Sequence, residues 1–173
     1  LPVAAKPGLR PTPDRVRETV FNWLGQDLRG WHCLDAFAGT GALGFEAASR
    51  GAQSVSLIEQ DRALVLQLVA TQQRLHADMV QIHRGDGVEA LARLSADSLD
   101  LVFLDPPFDA DLFQPALRAA ARVLRATGYI YLEAPSAWGE AQLEPLGLAL
   151  VRHLKAGAVH AHLLQCLRQV PHA

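Results

Sequence analysis

Cysteine is scarce in this chain: Cys33 and Cys166 are the only two in 173 residues, too few and too far apart for a disulfide framework. The fold must therefore rest on a buried apolar core, and at this length a chain buries roughly 70% of its unfolded surface. No apolar run is long enough, or free enough of polar residues, to be a membrane span. No positively charged segment followed by an apolar stretch opens the sequence, and the expectation is a cytoplasmic protein. Excess positive charge is missing too. The net charge is −2 and the pI near 6.4, which excludes a global field that draws the whole molecule to nucleic acid. There is no internal repeat, no low-complexity stretch and no composition break, so residues 1–173 are expected to be one domain.

What is present is uneven. The first 17 residues hold Lys6, Arg10, Arg15 and Arg17 against the one acid Asp14, so a polyanion would meet that end first. Residues 1–11, with Pro2, Pro7, Gly8 and Pro11, read as an extended basic arm. Thr12 reads as an N-cap and Pro13 as the first residue of a helix that carries Val16, Val20, Phe21, Trp23 and Leu24 and ends at Gly25.

Strands then alternate with helices. A strand at 33–35 meets a glycine loop and a helix from Ala42 to Arg50, closed by Gly51. A second strand, Ser54–Glu59, precedes a helix capped by Asp61 with Leu64, Val65, Leu68 and Leu75 on one side. Met79–His83 is a third strand, Val88–Leu94 a short helix and Leu99–Asp105 a fourth strand. Asp111–Leu124 is the next helix, stopped near Gly128, and Tyr129–Glu133 is strand five. The tail breaks the rhythm: Leu148–Lys155 and Val159–Leu167 form an antiparallel hairpin across Ala156-Gly157. The expected fold is α/β, a mostly parallel sheet with helices on both faces and a C-terminal antiparallel hairpin.

Asp35-Ala36-Phe37-Ala38-Gly39-Thr40-Gly41-Ala42-Leu43-Gly44 lies between the first strand and its helix. Gly39, Gly41 and Gly44 match the dinucleotide fingerprint, and Glu59 follows at the tip of strand two, where an acid grips ribose hydroxyls. In a dinucleotide site, however, a carboxylate at the tip of strand one would repel the pyrophosphate, and Asp35 stands there. S-adenosylmethionine has no phosphate, and its ammonium and sulfonium charges suit such an acid. Asp86-Gly87, after strand three, would flank the adenine. Asp86 equally fits a helix N-cap, and the two roles are compatible. Phe37 and Gln60, adjacent to these positions, complete the expected cofactor lining.

Asp105-Pro106-Pro107-Phe108 closes strand four. Two prolines fix two φ angles and remove two backbone donors, so the strand stops and presents Asp105 in a stiff loop. Asp105 and the Pro106 carbonyl can accept both hydrogens of an exocyclic amine on a nucleobase, while Phe108 offers a flat face for stacking. That pattern suits amine methylation. In a doubly wound sheet strands one and four flank the point where the winding reverses, so Asp35 and Asp105 are expected to face one crevice.

Arg10-Pro11-Thr12, Asp14-Arg15-Val16-Arg17-Glu18 and Phe21-Asn22-Trp23-Leu24, together with Leu34 to Gly44 and Asp105 to Phe108, closely resemble the RsmD family of small-subunit ribosomal RNA guanine-N2 methyltransferases. The resemblance runs through most of the chain, and the arginine-rich N-terminal motif is what separates this family from other enzymes with the same proline loop. Members usually carry a Gly- and Arg-rich segment ahead of the point at which this sequence begins, Leu1-Pro2-Val3. The resemblance implies a Rossmann-like seven-stranded class I methyltransferase that uses S-adenosylmethionine on one guanine of small-subunit (16S) ribosomal RNA, with or without bound ribosomal proteins. It also implies that Arg10 and Thr12 pack over the methionine end of the cofactor and that the neighbouring arginines face RNA.

Two other readings compete. A DNA methylase for adenine N6 or cytosine N4 could use the same proline loop, although no target-recognition insert is visible; a non-catalytic nucleotide-binding module would need the glycine loop but not Asp105 to Phe108. Metal and membrane partners are not expected, and a monomer is. His153, His160 and His162 read as solvent-facing strand residues, Cys33 and Cys166 as small buried hydrophobes, and Trp23 as core, while Trp31 and Trp138 are left between sheet edge and substrate contact.

Overall fold

The computed structural model describes residues 13–108 and 111–167. Their elements are α1 (Asp14–Leu24), β1 (His32–Asp35), α2 (Ala42–Ser49), β2 (Ser54–Glu59), α3 (Arg62–Leu75), β3 (Val80–Arg84), α4 (Gly87–Arg93), β4 (Leu99–Leu104), α5 (Phe113–Val123), β5 (Leu124–Ala134), α6 (Glu140–Leu143), a 3₁₀ turn at Glu144–Leu146, β6 (Leu148–Ala156) and β7 (Val159–Cys166). The seven strands form one sheet in the order β3-β2-β1-β4-β5-β7-β6, parallel through β5 and antiparallel at β7 and β6. The parallel sheet and antiparallel tail are those the strand–helix alternation predicts, and the seven-stranded order is that of the Rossmann-like class I methyltransferase fold implied by the resemblance. No helix among the described residues is long and apolar enough to cross a membrane.

Strand alternation sends successive side chains to opposite faces, and two cores result. Cys33, Phe103 and Tyr131 belong to one, with Val16, Val20 and Phe21 of α1 and Leu43 and Phe45 of α2; Leu34, Val102, Leu104 and Leu132 belong to the other, with Leu91 of α4 and Ala116, Leu117 and Ala120 of α5. Helix α1 runs beside α2 in the same direction, because Arg17 reaches Glu46 at 3.7 Å and Arg50 lies 5.2 Å over the Phe21 ring. Its first residues therefore lie toward the glycine-loop end of α2.

Several expectations shift. Pro13 is the N-cap of α1, with ψ 144°, so the helix begins at Asp14; the expected cap Thr12 and the arm 1–11 lie outside the described residues. The third strand starts one residue later than predicted. The apolar stripe of α3 ends one turn early: Leu64, Leu68 and Thr71 are buried, whereas Leu75 is 51% exposed where His76 turns the chain through φ 52°. No loop separates α5 from β5. Leu124 leaves the helix at φ −74°, ψ 131° and pairs at once with Leu99, and a register shift between Leu99 and Leu101 takes up the extra residues before Tyr129. Gly128 fits there because a Cβ would come within 2.7 Å of the Asp100 carbonyl oxygen.

In the tail, β7 returns inside β6, between it and β5, and this buries His162 completely, against its expected exposure. The ring is satisfied on both sides: Nδ1 donates to the Leu132 carbonyl (3.1 Å) and Nε2 accepts from the Trp138 N–H (3.0 Å). Both bonds require the neutral ring, and burial pushes its pKa down to about 4 against the opposing pull of the Leu132 bond. Cys33 is buried as expected, but Cys166 is only half-buried at the end of β7, and Trp23 is half-buried against the α1 core.

At the edge where the parallel strands begin, Asp100 Oδ2 accepts from the His32 N–H (2.8 Å) and from Arg125 Nη1 (2.9 Å), joining the starts of β1, β4 and β5. Because this carboxylate is mostly buried and its backbone partner cannot turn to water, Asp100→Ala is expected to cost about 1–3 kcal/mol. A urea unfolding curve with an unchanged midpoint would show that the link carries no stability.

Candidate active site

The crevice lies where the parallel strands end. Asp35 of β1 pairs with Phe103 of β4, and the next residue, Ala36, donates its N–H to the Phe103 carbonyl at 3.2 Å. Asp105 follows two residues after Phe103, so alternation returns it to the face that Asp35 occupies. Asp35 and Asp105 thus stand at the ends of neighbouring strands at the β1–β4 switch point.

Asp35 is 2% exposed, and one oxygen accepts from the Phe37 N–H at 3.1 Å. Burial raises its carboxyl to about 7; the Phe37 bond works against that, and Glu59 and Glu133 add to it. The loop behind it turns through two left-handed glycines, Gly39 (φ 56°) and Gly41 (φ 83°), and Gly41 N–H donates to the Ala38 carbonyl at 2.8 Å. Gly44 serves contact: a Cβ there would meet Leu57 at 2.2 Å, so only glycine lets α2 lie this close to β2.

Glu59 ties the loops together. Its Oε1 accepts from the Gly39 N–H and its Oε2 from the Asp61 N–H, each at 2.9 Å. Asp86 does cap α4, accepting from the Glu89 N–H at 2.9 Å, and its other oxygen accepts from Gln60 Nε2 at 3.1 Å. Gly87 is pressed against the first loop, where a Cβ would come within 2.0 Å of the Ala36 carbonyl oxygen. The structure thus gathers Asp35, Phe37, Gly39, Gly41, Glu59, Gln60, Asp86 and Gly87 into one connected rim. Arg10 and Thr12 lie outside the described residues.

Across the crevice, Asp105 and Phe108 are half-buried, Pro106 is buried and Pro107 is exposed. Phe108 begins an aromatic row, 6.5 Å from Phe113, which is 6.3 Å from Trp138. The Trp138 backbone is the one held by His162.

Comparison with known proteins settles the lineage. A family model described as "Conserved hypothetical protein 95" matches residues 1–165. Ribosomal RNA small subunit methyltransferase D of Escherichia coli (strain K12) is 39% identical over 171 residues, covering 95% of this chain and 83% of that protein. The protein of the same name from Haemophilus influenzae is 36% identical over 176 residues, covering 95% and 87%. The chain belongs to the RsmD family. The solved structure of a putative methyltransferase, yhhF from Escherichia coli, agrees, with a TM-score of 0.81 and 39% identity over 96% of this chain and 90% of that one.

A cationic nucleoside donor needs acceptors and negative charge, and the rim residues offer both. Each oxygen of Glu59 keeps a lone pair beyond its backbone bond, available to ribose hydroxyls. Asp35, held at about 7 by burial, would be shifted toward its charged form by a nearby ammonium or sulfonium. Residues that the sequence reading passed over also converge here. Glu133, the last residue but one of β5, lies on the face of Asp35 and Asp105, and it contributes to the rise of Asp35. Its signal was the same as for Asp35 and Glu59: an acid that ends an apolar strand. Phe113 and Trp138 carried no such signal.

A carboxyl held near 7 in the fold and near 3.8 in the unfolded chain costs stability as pH rises between those values, because the unfolded state ionises first. Asp35→Asn is therefore expected to be more stable than the parent, by a margin that opens from about pH 4, levels off above about pH 7, and reaches roughly 1–4 kcal/mol. Urea midpoints for both proteins between pH 4 and 9 check this, and a margin that does not vary with pH would contradict it.

Proposed function

We propose that this chain methylates the exocyclic N2 amine of a guanine in small-subunit ribosomal RNA, using S-adenosylmethionine as donor. The observation that carries this reading is the placement of Asp105-Pro106-Pro107-Phe108 beside the Asp35 glycine loop at the β1–β4 switch point, in a chain whose 36–39% identical relatives are named as ribosomal RNA methyltransferases. The cofactor supplies a methyl group activated by a positive sulfur and leaves as neutral S-adenosylhomocysteine.

The chain's own residues supply position and charge. Asp35 and Glu59 seat the donor's cation and ribose, Asp86 and Gly87 flank its adenine, and the backbone contact of Gly87 on Ala36 keeps those loops in register. On the other side, Asp105 and the Pro106 carbonyl accept the two hydrogens of the amine. This favours a pyramidal nitrogen whose lone pair forms the new N–C bond while the electrons of the C–S bond go to sulfur. The charge that develops on nitrogen is stabilised by the Asp105 carboxylate, which receives the departing proton or passes it to water. No strong base is required, and most of the barrier lowering comes from alignment. Phe108 stacks the base, which must be unpaired or turned out of its helix to reach the crevice.

We infer that the protein acts as one domain and as a monomer in the cytoplasm, on naked RNA or on an assembling subunit. The decisive assay is tritiated methyl transfer to unmodified small subunits, small-subunit RNA and DNA in parallel, followed by nucleoside identification. N2-methylguanosine from an RNA arm is the expected product; N6-methyladenine or N4-methylcytosine in DNA would reverse the assignment. Asp105→Ala is expected to lower turnover by about 100-fold or more, and turnover near that of the parent would rule out its role. In calorimetry, adenosylhomocysteine should bind and NAD should not, and heat from NAD alone would favour a dinucleotide module.

A further inference from the structure

The aromatic row that starts at Phe108 leads away from the crevice along the edge of the sheet. Phe108 follows β4, Phe113 opens α5 and Trp138 follows β5, and all three are half-buried. Their rings stand 6.5 and 6.3 Å apart, tilted by 45° and 34°. Trp138 packs on the α5 core, yet its indole N–H has no partner among the described residues and is not shut away from water. A ring with one apolar flank seated and its polar edge open is suited to meeting a ligand.

Beyond Trp138 the surface turns basic. Strand β7 begins beside the end of β5, with His160 opposite Ala134 and His162 opposite Leu132; across the hairpin, Lys155 stands opposite His160 and His153 opposite His162. Opposed residues of an antiparallel pair share a face, and Leu132 and Ala134 belong to the α5 core, so all four lie on the Trp138 side of the sheet. His162 is the buried link: it accepts from the Trp138 N–H, and its ring is 5.1 Å from that of His153. His153 and Lys155 are exposed, and His153 Nε2 lies 2.8 Å from Nδ1 of the half-buried His160. Burial lowers the His160 pKa first, and His153 and Lys155 lower it further, so like charges gather here. No ion pair among the described residues engages Lys155.

We propose that the single-stranded RNA next to the target guanine runs along this edge, a neighbouring base stacking on Phe113 and Trp138 while Lys155 and the His153–His160 pair meet its phosphate; this rests on the reading of the site given above. Aromatic rings followed by uncompensated positive charge are the means by which unpaired strands are held without regard to sequence. Continuity names the occupant. The row begins at the residue that stacks the target base, so the strand joined to that base is what reaches the next rings. The protein as a whole is acidic, and its crevice is lined with carboxylates, so phosphate leaving the site needs a local cation to settle on.

The test compares the parent with Trp138→Ala, Trp138→Phe and Lys155→Glu. It measures methyl transfer to unmodified small subunits, binding of a fluorescein-labelled single-stranded RNA with one guanine among uridines, and binding of adenosylhomocysteine. KM for the subunit is expected to rise by about 5- to 30-fold in Trp138→Ala and by less than about threefold in Trp138→Phe, whose ring still stacks. In Lys155→Glu it should rise by about 3- to 10-fold at low salt and by less at high salt, because the lost contact is a charge on phosphate. Affinity for the labelled RNA should fall in step with KM, kcat should change less than KM does, and adenosylhomocysteine affinity should stay within about twofold. Lys155 is exposed, so its variant decides the matter should Trp138→Ala fail to fold. N2-methylguanosine formed with the parent's KM by every folded variant overturns the RNA path alone. A raised KM for subunits with unchanged affinity for the labelled RNA assigns the edge to a ribosomal protein and overturns the path as well. A parent that makes a different product overturns the reading of the site and this path together.

Discussion

Strands β1 and β4 end side by side, and everything in the candidate site depends on that adjacency. The sheet winds one way through β1, β2 and β3 and the other way through β4 and β5, so the connections leaving β1 and β4 diverge and open a crevice between their tips. The bond from the Ala36 N–H to the Phe103 carbonyl sets how far apart the tips sit. From that register follow the face Asp35 occupies, the face Asp105 occupies two residues beyond Phe103, and the position of Glu133 one strand further on. A slip of one residue would send these acids into the opposite core.

The rim holds its shape through bonds from side chains to backbone. Glu59 spans the glycine loop and the turn into α3, and Asp86 caps α4 while it engages Gln60. Each acid therefore fixes the loop from which it would contact a ligand, so little ordering is left for binding to drive. The same logic holds on the acceptor side. Two prolines stiffen the chain after β4, and His162, buried and neutral, pins the segment that carries Trp138.

Electrostatically the crevice is acidic. Asp35 is raised by burial, with Glu59 and Glu133 adding to it, and the buried Tyr131 phenol beside Glu133 is raised by burial first and by that carboxylate next. Such an arrangement destabilises the protein alone and favours a cationic or N–H-rich visitor, the usual exchange of stability for function at a binding site. In the proposed function the basic N-terminal residues would meet RNA phosphate while the acidic crevice takes the donor cation.

Much of this was legible in the chain itself. The strand–helix alternation, the Gly39-Thr40-Gly41 turn, Glu59 at its strand end, the Asp86 cap and the stiff loop at Pro106-Pro107 are local consequences of residue type and spacing, which sequence records directly. Three things were not local. The inward return of β7, which buries His162, depends on strand order, and order is set by how two faces of a sheet are covered. The early end of the α3 stripe at Leu75 depends on what lies beyond the helix, which its own periodicity cannot reveal. The convergence of Glu133 with Asp35 and Asp105 joins residues up to 98 positions apart through strand register alone. Residue type and spacing thus determined the elements and the chemistry each loop could offer; the pairing of distant strands decided which of those groups share one buried space, because burial and mutual repulsion arise only once they are brought together.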